Sequence, residues 1–276
     1  MQLRNRADGR VHFSDLAMMR YSPAHYGHAV TNPKEQTRGM TVGALADAMV
    51  LGGRGWALYE GKTRRGKEWD AFEREHAGDV IGIASEVDEA KEIAVAVLAD
   101  EAAQSLLTLP GMAYQTCHKW SAFGLECSCG VPGERGGIDA ISIAKRVLVD
   151  MKVTVSADPG KLMRHAYDRM WHAQLAWYLE AVGRGIAPDY HGIGTRDIVP
   201  EMWSTYLICA EATAPHCVTV LRVPELLLRD GRKSITIWAE MLRSCEESGR
   251  WPGYTDSIVE MQRPVWIDDL DDEDDK

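Results

Sequence analysis

The sequence predicts an α/β domain in which helices pack around a central mixed β-sheet, and three observations carry that prediction. Residues 147–154, VLVDMKVT, alternate, so Val147, Val149, Met151 and Val153 point one way in a strand and Leu148, Asp150, Lys152 and Thr154 the other. Strand-like stretches at 112–121, 123–130, 135–142 and 147–155 follow one another across turns at Gly124, Pro132-Gly133 and Ala144-Lys145. Segments with helical spacing lie before and after this block, as in a domain whose helices cover a sheet.

In chain order, residues 14–30 read as a short helix broken at Ser22-Pro23, followed by a second short helix. From Gln36 to Leu51 the apolar residues Met40, Ala44, Ala48 and Leu51 recur at helical spacing, and Gly52-Gly53 ends the run. The charged, glycine-rich stretch 54–82 reads as loop, with helix around Glu68–Arg74. Ser85 opens a capping-box pattern, Ser-x-x-Asp, at the head of a helix reaching Leu109, where Pro110-Gly111 stops it. After the strand block, Asp158-Pro159 starts a long helix that runs to Val182-Gly183. A strand pair, 203–210 and 217–223, brackets Ala214-Pro215. A final amphipathic helix spans 224–247, with Gly231 as a weak point.

The bulk composition bounds the class. At 276 residues, 45% hydrophobic and 26% charged, the chain is long enough for a sizeable core and has no apolar run long enough to span a bilayer. The N-terminal MQLRNRADGRVHFSD lacks the apolar stretch of a secretory signal, so cytoplasmic residence without a membrane partner is the expectation. The formal charge of −10 is unevenly placed: the tail 268–276 holds seven acids and one lysine, which leaves 34 acids and 30 bases in residues 1–267. The expected organisation is one domain over 1–267 and an acidic, disordered tail over 268–276. Nucleic-acid binding is therefore not excluded by net charge. The six cysteines form no CxxC pair; Cys127 and Cys129 read as strand thiols, and no iron–sulfur cluster is expected.

Chemistry concentrates at GGIDAISIAKRVLVDMK, residues 136–152. Asp139 precedes Asp150 by eleven positions, and Lys152 shares a strand face with Asp150. Ionisable groups on a core strand are costly unless paired or bound to metal. Two carboxylates from neighbouring strands suit a hard divalent cation, with water and a substrate phosphate completing its shell. A nearby lysine orients the attacking water or offsets charge on a phosphorane-like transition state. A buried Asp–Lys ion pair explains the same spacing equally well.

The wider sequence resembles the PD-(D/E)XK nuclease superfamily, in the branch of RecE and exonuclease VIII-like proteins related to RecB nuclease domains. The resemblance rests on Ile138-Asp139 with Asp150-Met151-Lys152, and on the Gln-x-x-x-Tyr pattern at Gln174 and Tyr178 in WHAQLAWYL, 171–179. YSPAHY at 21–26 and GRWPGY at 249–254, followed by Pro264-x-Trp266, complete it. It implies a restriction-endonuclease-like fold and a Mg²⁺- or Mn²⁺-dependent exodeoxyribonuclease that degrades linear double-stranded DNA from a 5′ end for recombination, typically in phage or prophage. A single-strand annealing protein and a homo-oligomeric ring are the implied partners. By position, Asp139 and Asp150 would be metal ligands, Lys152 the water-activating or charge-stabilising group, and Gln174 and Tyr178 its helical support.

Two departures from the family pattern stand out. Where the early helix usually has Gly-x-x-x-His, this chain has Gly43-Ala44-Leu45-Ala46-Asp47, so Asp47 is either a third carboxylate ligand or a surface aspartate. His25 and His28 are the nearby substitutes. Gln115 stands where a further acid is expected, with Glu126 the nearest carboxylate. For DNA contacts, Arg64, Arg65 and Lys67, flanked by Trp56 and Trp69, form the densest basic cluster, and Arg20 and Ser22 precede the YSPAHY turn. An endonuclease of the same superfamily, and a non-catalytic DNA- or protein-binding descendant, are the competing readings.

Overall fold

The computed structural model describes residues 9–32, 35–130, 137–186 and 202–261. The acidic tail and Pro264-x-Trp266 lie outside them. Val11–His12 (β1) leads into Phe13–Leu16 (α1), a 3-10 turn at Ala17–Arg20, Pro23–Thr31 (α2) and Arg38–Leu51 (α3). Trp56–Tyr59 (β2), Lys67–Glu75 (α4), Val80–Ile83 (β3), Ala84–Ala99 (α5) and Glu101–Leu107 (α6) follow. The strand block comprises Met112–Thr116 (β4), His118–Ala122 (β5), Leu125–Cys129 (β6), Ile138–Ser142 (β7) and Val147–Thr154 (β8). Pro159–Asp168 (α7), Trp171–Ala181 (α8) with a π-turn at Val182–Ile186, Ser204–Glu211 (β9), Val218–Val223 (β10) and Glu225–Ser248 (α9) complete the described chain.

The principal sheet has the order β10-β9-β8-β7-β4 and is mixed: β8 and β9 run parallel, every other neighbour antiparallel. The parallel pair needs a crossover, and α7 and α8 lie on that connection. β8 is the middle strand, and its alternation divides the interior. Val147, Val149 and Met151 join Val42, Leu45, Val87 and Ile93 of α3 and α5 on one face. Leu148 joins Leu162, Leu175, Trp177, Ile235 and Leu242 of α7, α8 and α9 on the other. Each such fully buried side chain contributes about 1.5–3 kcal/mol. Smaller sheets, β1-β6-β5 and β2-β3, lie outside the main one.

Four elements depart from the sequence expectation, each for a tertiary reason. The loop stretch 54–82 contains β2 and β3, paired in parallel from Trp56↔Val80 to Tyr59↔Ile83; four-residue strands carry too little alternation to read. The helix expected to be capped by Ser85 starts two residues earlier, with Ile83 as its N-cap. Glu86 closes that end by accepting the Ile83 N–H at 3.0 Å. The same helix breaks at Asp100, whose carboxylate caps α6 through the Ala103 N–H at 2.8 Å.

The strand expected over 112–121 divides at Cys117, β4 pairing with β7 and β5 with β6. The helix expected over 158–183 divides at Met170, held in the left-handed region at φ 60°. Gly231, a weak point in propensity, is a close crossing: a Cβ there would stand 2.6 Å from the Ala173 Cα of α8.

Candidate active site

Asp139, Asp150 and Lys152 meet where β7 leaves β8. Ala140 pairs with Val149, so the register carried one residue further sets Asp139 opposite Asp150. The ladder ends there, and Asp139 Oδ2 accepts the Met151 N–H at 2.8 Å. Asp150 is 1% exposed. Lys152, two residues along the same face, holds its Nζ 2.5 Å from Asp150 Oδ2. That ion pair is present, as one of the two explanations of the spacing required, but it does not use all the charge at the site.

Asp47 belongs to the same electrostatic group, because α3 packs over the end of β8. Gly43 lies against Val153, with 3.9 Å from its Cβ position to the Val153 Cβ, and Asp47 is one turn further along the helix. Burial, then the charge of Asp139, pushes the Asp47 carboxyl well above its ordinary range, with Lys152 acting in the opposite direction. Burial and the charge of Asp150 push the Asp139 carboxyl up to about 7, against the pull of Lys152 and of the Met151 N–H. Burial works against the Lys152 ammonium, yet Asp150, Asp139 and Asp47 together hold its pKa above the usual lysine value. Three carboxylates thus face one ammonium, an excess of negative charge that a proton or a cation relieves.

The donor chemistry fits a hard divalent cation. Asp47 Oδ1 is shielded from solvent and has no hydrogen-bond donor, whereas Asp150 Oδ2 has the Lys152 ammonium beside it. Mg²⁺ usually takes one or two carboxylates and completes its shell with water and substrate oxygens. Among the described residues no group of three His, Cys, Asp or Glu side chains is placed to hold a metal ion. An ion at the site would rest on one or two of Asp47, Asp139 and Asp150 and take its remaining ligands from water and substrate.

From α8 come Gln174 and Tyr178, the latter within electrostatic reach of Asp150 and Asp139. One turn apart, they are joined by a 2.7 Å bond from Gln174 Nε2 to the Tyr178 hydroxyl. Tyr178 is buried, and burial, then the charges of Asp150 and Asp139, raise its phenol well above its usual pKa, so it stays neutral. Trp171, at the start of α8, lies under Lys152 with 5.9 Å from Nζ to the ring centroid. Asp47, Asp139, Lys152 and Trp171 line a cleft of about 910 Å³ formed largely by α3, β4, β7, β8 and α7; Asp150, Gln174 and Tyr178 do not line it.

Gln115 occupies the position across β7 from Asp139, between the pairs Tyr114↔Ala140 and Thr116↔Ile138. Its φ of 49° takes it out of the ladder, and its buried amide oxygen lines the cleft without a donor. Glu126 faces outward on β6 and pairs with Arg10 at 2.8 Å. His25 bonds to Ser22 at 2.7 Å and His28 to Asn32 at 3.3 Å; neither lines the cleft.

Nor does any of the five residues expected to grip DNA line it. The Ser22 side chain is buried and spent as the N-cap of α2. Arg20 donates to the Asp168 carbonyl at 3.1 Å and to the Tyr21 hydroxyl at 2.6 Å. Arg64 forms a two-pronged ion pair with Glu86, which is 3% exposed, and a bond to the Ile81 carbonyl at 3.2 Å. Arg65 and Lys67 are exposed. Cys127 and Cys129 are buried in β6 and form no disulfide.

Trp171, His165 and Arg169 also line the cleft, although no motif in the sequence marks them. The break at Met170, which sets Trp171 at the head of a new helix, leaves no local sequence signal. Lys161, His165 and Arg169, by contrast, recur at four-residue intervals, a stripe readable once α7 is recognised.

No protein-family model and no curated protein matches the sequence. The structure is similar to the crystal structure of a candidate exonuclease from Eubacterium rectale, over 95% of this chain and 92% of that one, with a TM-score of 0.56 and 14% sequence identity. At that identity the likeness is one of fold, and it extends over nearly the whole mixed α/β architecture. No helix among the described residues is long and apolar enough to cross a membrane.

Proposed function

We propose that this chain is a Mg²⁺- or Mn²⁺-dependent deoxyribonuclease that degrades linear double-stranded DNA from a 5′ end. The observation that supports it most directly is the convergence of Asp139, Asp150 and Lys152 at one end of β8, with Asp139 and Lys152 lining the cleft. The fold shared with a protein described as a candidate exonuclease points the same way. A bound divalent ion would supply Lewis-acid charge to the scissile phosphate and lower the pKa of a coordinated water.

The protein's own groups then divide the work. Asp139 and Asp150, with Asp47, hold the negative charge that draws a cation in. Lys152, kept an ammonium by its three carboxylate neighbours, is suited to stabilising charge on the phosphate as the water–phosphorus bond forms and the ester bond breaks. In that state it is a donor rather than a proton acceptor. Gln174 and Tyr178, bonded to each other, stiffen α8, whose first residue Trp171 lies under Lys152. The 3′ single strands so produced would serve recombination with a single-strand annealing protein, and a ring of identical chains would make digestion processive.

The test is incubation with linear and covalently closed duplex DNA in Mg²⁺ or Mn²⁺, beside Lys152→Ala. Loss of the linear DNA alone, slowed about 10²–10³-fold by the substitution, is the expected result, with label at the 5′ end released first. Cutting of the closed circle would move the chain to an endonuclease, and no digestion with either metal would overturn the catalytic reading.

A further inference from the structure

The cleft has one wall with uncommitted positive charge. Lys152 is paired with Asp150, and Arg54 donates to the Gly78 and Asp79 carbonyls at 2.7 and 3.5 Å. Arg169, exposed at the cleft edge, forms no side-chain bond or ion pair among the described residues. The same is true of Lys161 and Arg164, both exposed on α7. Many of the protein's other surface cations are neutralised: Arg38 by Glu89, Arg64 by Glu86, Arg184 and Arg232 by Glu180, Arg229 by Glu225 and Lys233 by Asp230.

Helical spacing gives these charges a direction. Lys161, His165 and Arg169 recur at four-residue intervals along one stripe about 12 Å long, and its last two members line the cleft. Leu162 and Ala166, each one residue on from a member of the stripe, anchor the adjacent side of α7 in the core. At the end of the stripe Met170, in the left-handed region at φ 60°, turns the chain so that Trp171 lies under Lys152. A non-glycine residue there costs on the order of 1 kcal/mol, and the turn it makes keeps Arg169 only two residues from that ring.

We infer that α7 and its C-cap residue form a phosphate track: Arg169 and Lys161 bind backbone phosphates of a DNA strand and feed it along the helix to the carboxylate–lysine centre. The stripe matches about three nucleotides of one strand at ~3.4 Å each. Such contacts go to phosphates and carry no base preference. The inference rests on the nuclease reading and adds where the strand lies. An unpaired acid, Asp168, sits beside Arg169 on the exposed side, so the track is cationic on its cleft edge only.

The experiment measures binding of a fluorescein-labelled linear duplex in Ca²⁺, as a function of KCl, for wild type, Arg169→Gln, Lys161→Gln, Arg169→Lys and the control Lys119→Gln. Each Gln variant on α7 should reduce the slope of log K against log [KCl] by about one, while Arg169→Lys and the control keep the wild-type slope. In Mg²⁺ turnover, Arg169→Gln should raise KM about tenfold with kcat unchanged, the sign of lost uniform binding. Slopes for both α7 variants equal to wild type would overturn the track and leave the nuclease reading standing. A wild type that binds no duplex at any salt would overturn both.

Discussion

Replacing Asp139 with Asn tests the electrostatics of the centre without any reliance on turnover. The carboxyl is pushed from 3.8 to about 7 by burial and by Asp150. A tenfold change in acid strength corresponds to ~1.4 kcal/mol, so the ionised form destabilises the fold by at most ~4 kcal/mol above pH 7. Asn keeps an acceptor for the Met151 N–H but weakens a charge-assisted bond by ~1 kcal/mol. Redistribution of charge among Asp47, Asp150 and Lys152 absorbs part of the remainder.

The expected net gain is ~1–3 kcal/mol at pH 8, read as a Tm higher by ~3–8 °C in metal-free buffer. The sign follows from linkage. The folded state retains a proton that the unfolded chain has released between about pH 4 and 7, so metal-free wild type loses stability as pH rises through that window. At pH 5 the difference between Asp and Asn should therefore shrink towards zero. Added Mg²⁺ should raise the Tm of wild type at pH 8 and leave Asp139→Asn unmoved. A variant less stable than wild type in metal-free buffer at pH 8, or a gain that is the same at pH 5 and pH 8, would refute the reasoning.

Two structural substitutions check the architecture around the site. Arg64→Ala should destabilise by ~2 kcal/mol in urea, because it leaves the buried Glu86 carboxylate with only the Ile83 N–H as a partner, whereas Arg65→Ala and Lys67→Ala should stay within ~0.5 kcal/mol; equal urea midpoints for all three would contradict a structural role for Arg64. Gly231→Ala should also lower the urea midpoint, by ~1–3 kcal/mol, since its Cβ would meet Ala173 backbone at 2.6 and 2.9 Å; a gain of ~1 kcal/mol, as helix propensity alone requires, would mean that the α8–α9 crossing yields easily.

The parts of this protein legible in its sequence are those set by local periodicity. A strand repeats every two residues, so Asp150 and Lys152 had to share a face. A helix repeats every 3.6, so Gln174 and Tyr178 had to stack; the bond between them follows. Ser22-Pro23 and Asp158-Pro159 announced two helix starts through cap chemistry that involves only neighbouring residues.

Tertiary structure decided the rest. Asp139 faces Asp150 only because β7 takes one particular register on β8. Asp47 enters the cluster because α3 packs on Val153 of β8 one turn before it. Between a surface aspartate and a third carboxylate at the centre, the fold places it at the centre. Met170 breaks a helix that every local signal continues, and Gln115 leaves a strand that alternation would extend. Those two backbone departures bring Trp171 under Lys152 and the Gln115 amide into the cleft. Both need long-range contacts to hold conformations that local energetics disfavour, and no window of sequence records such contacts.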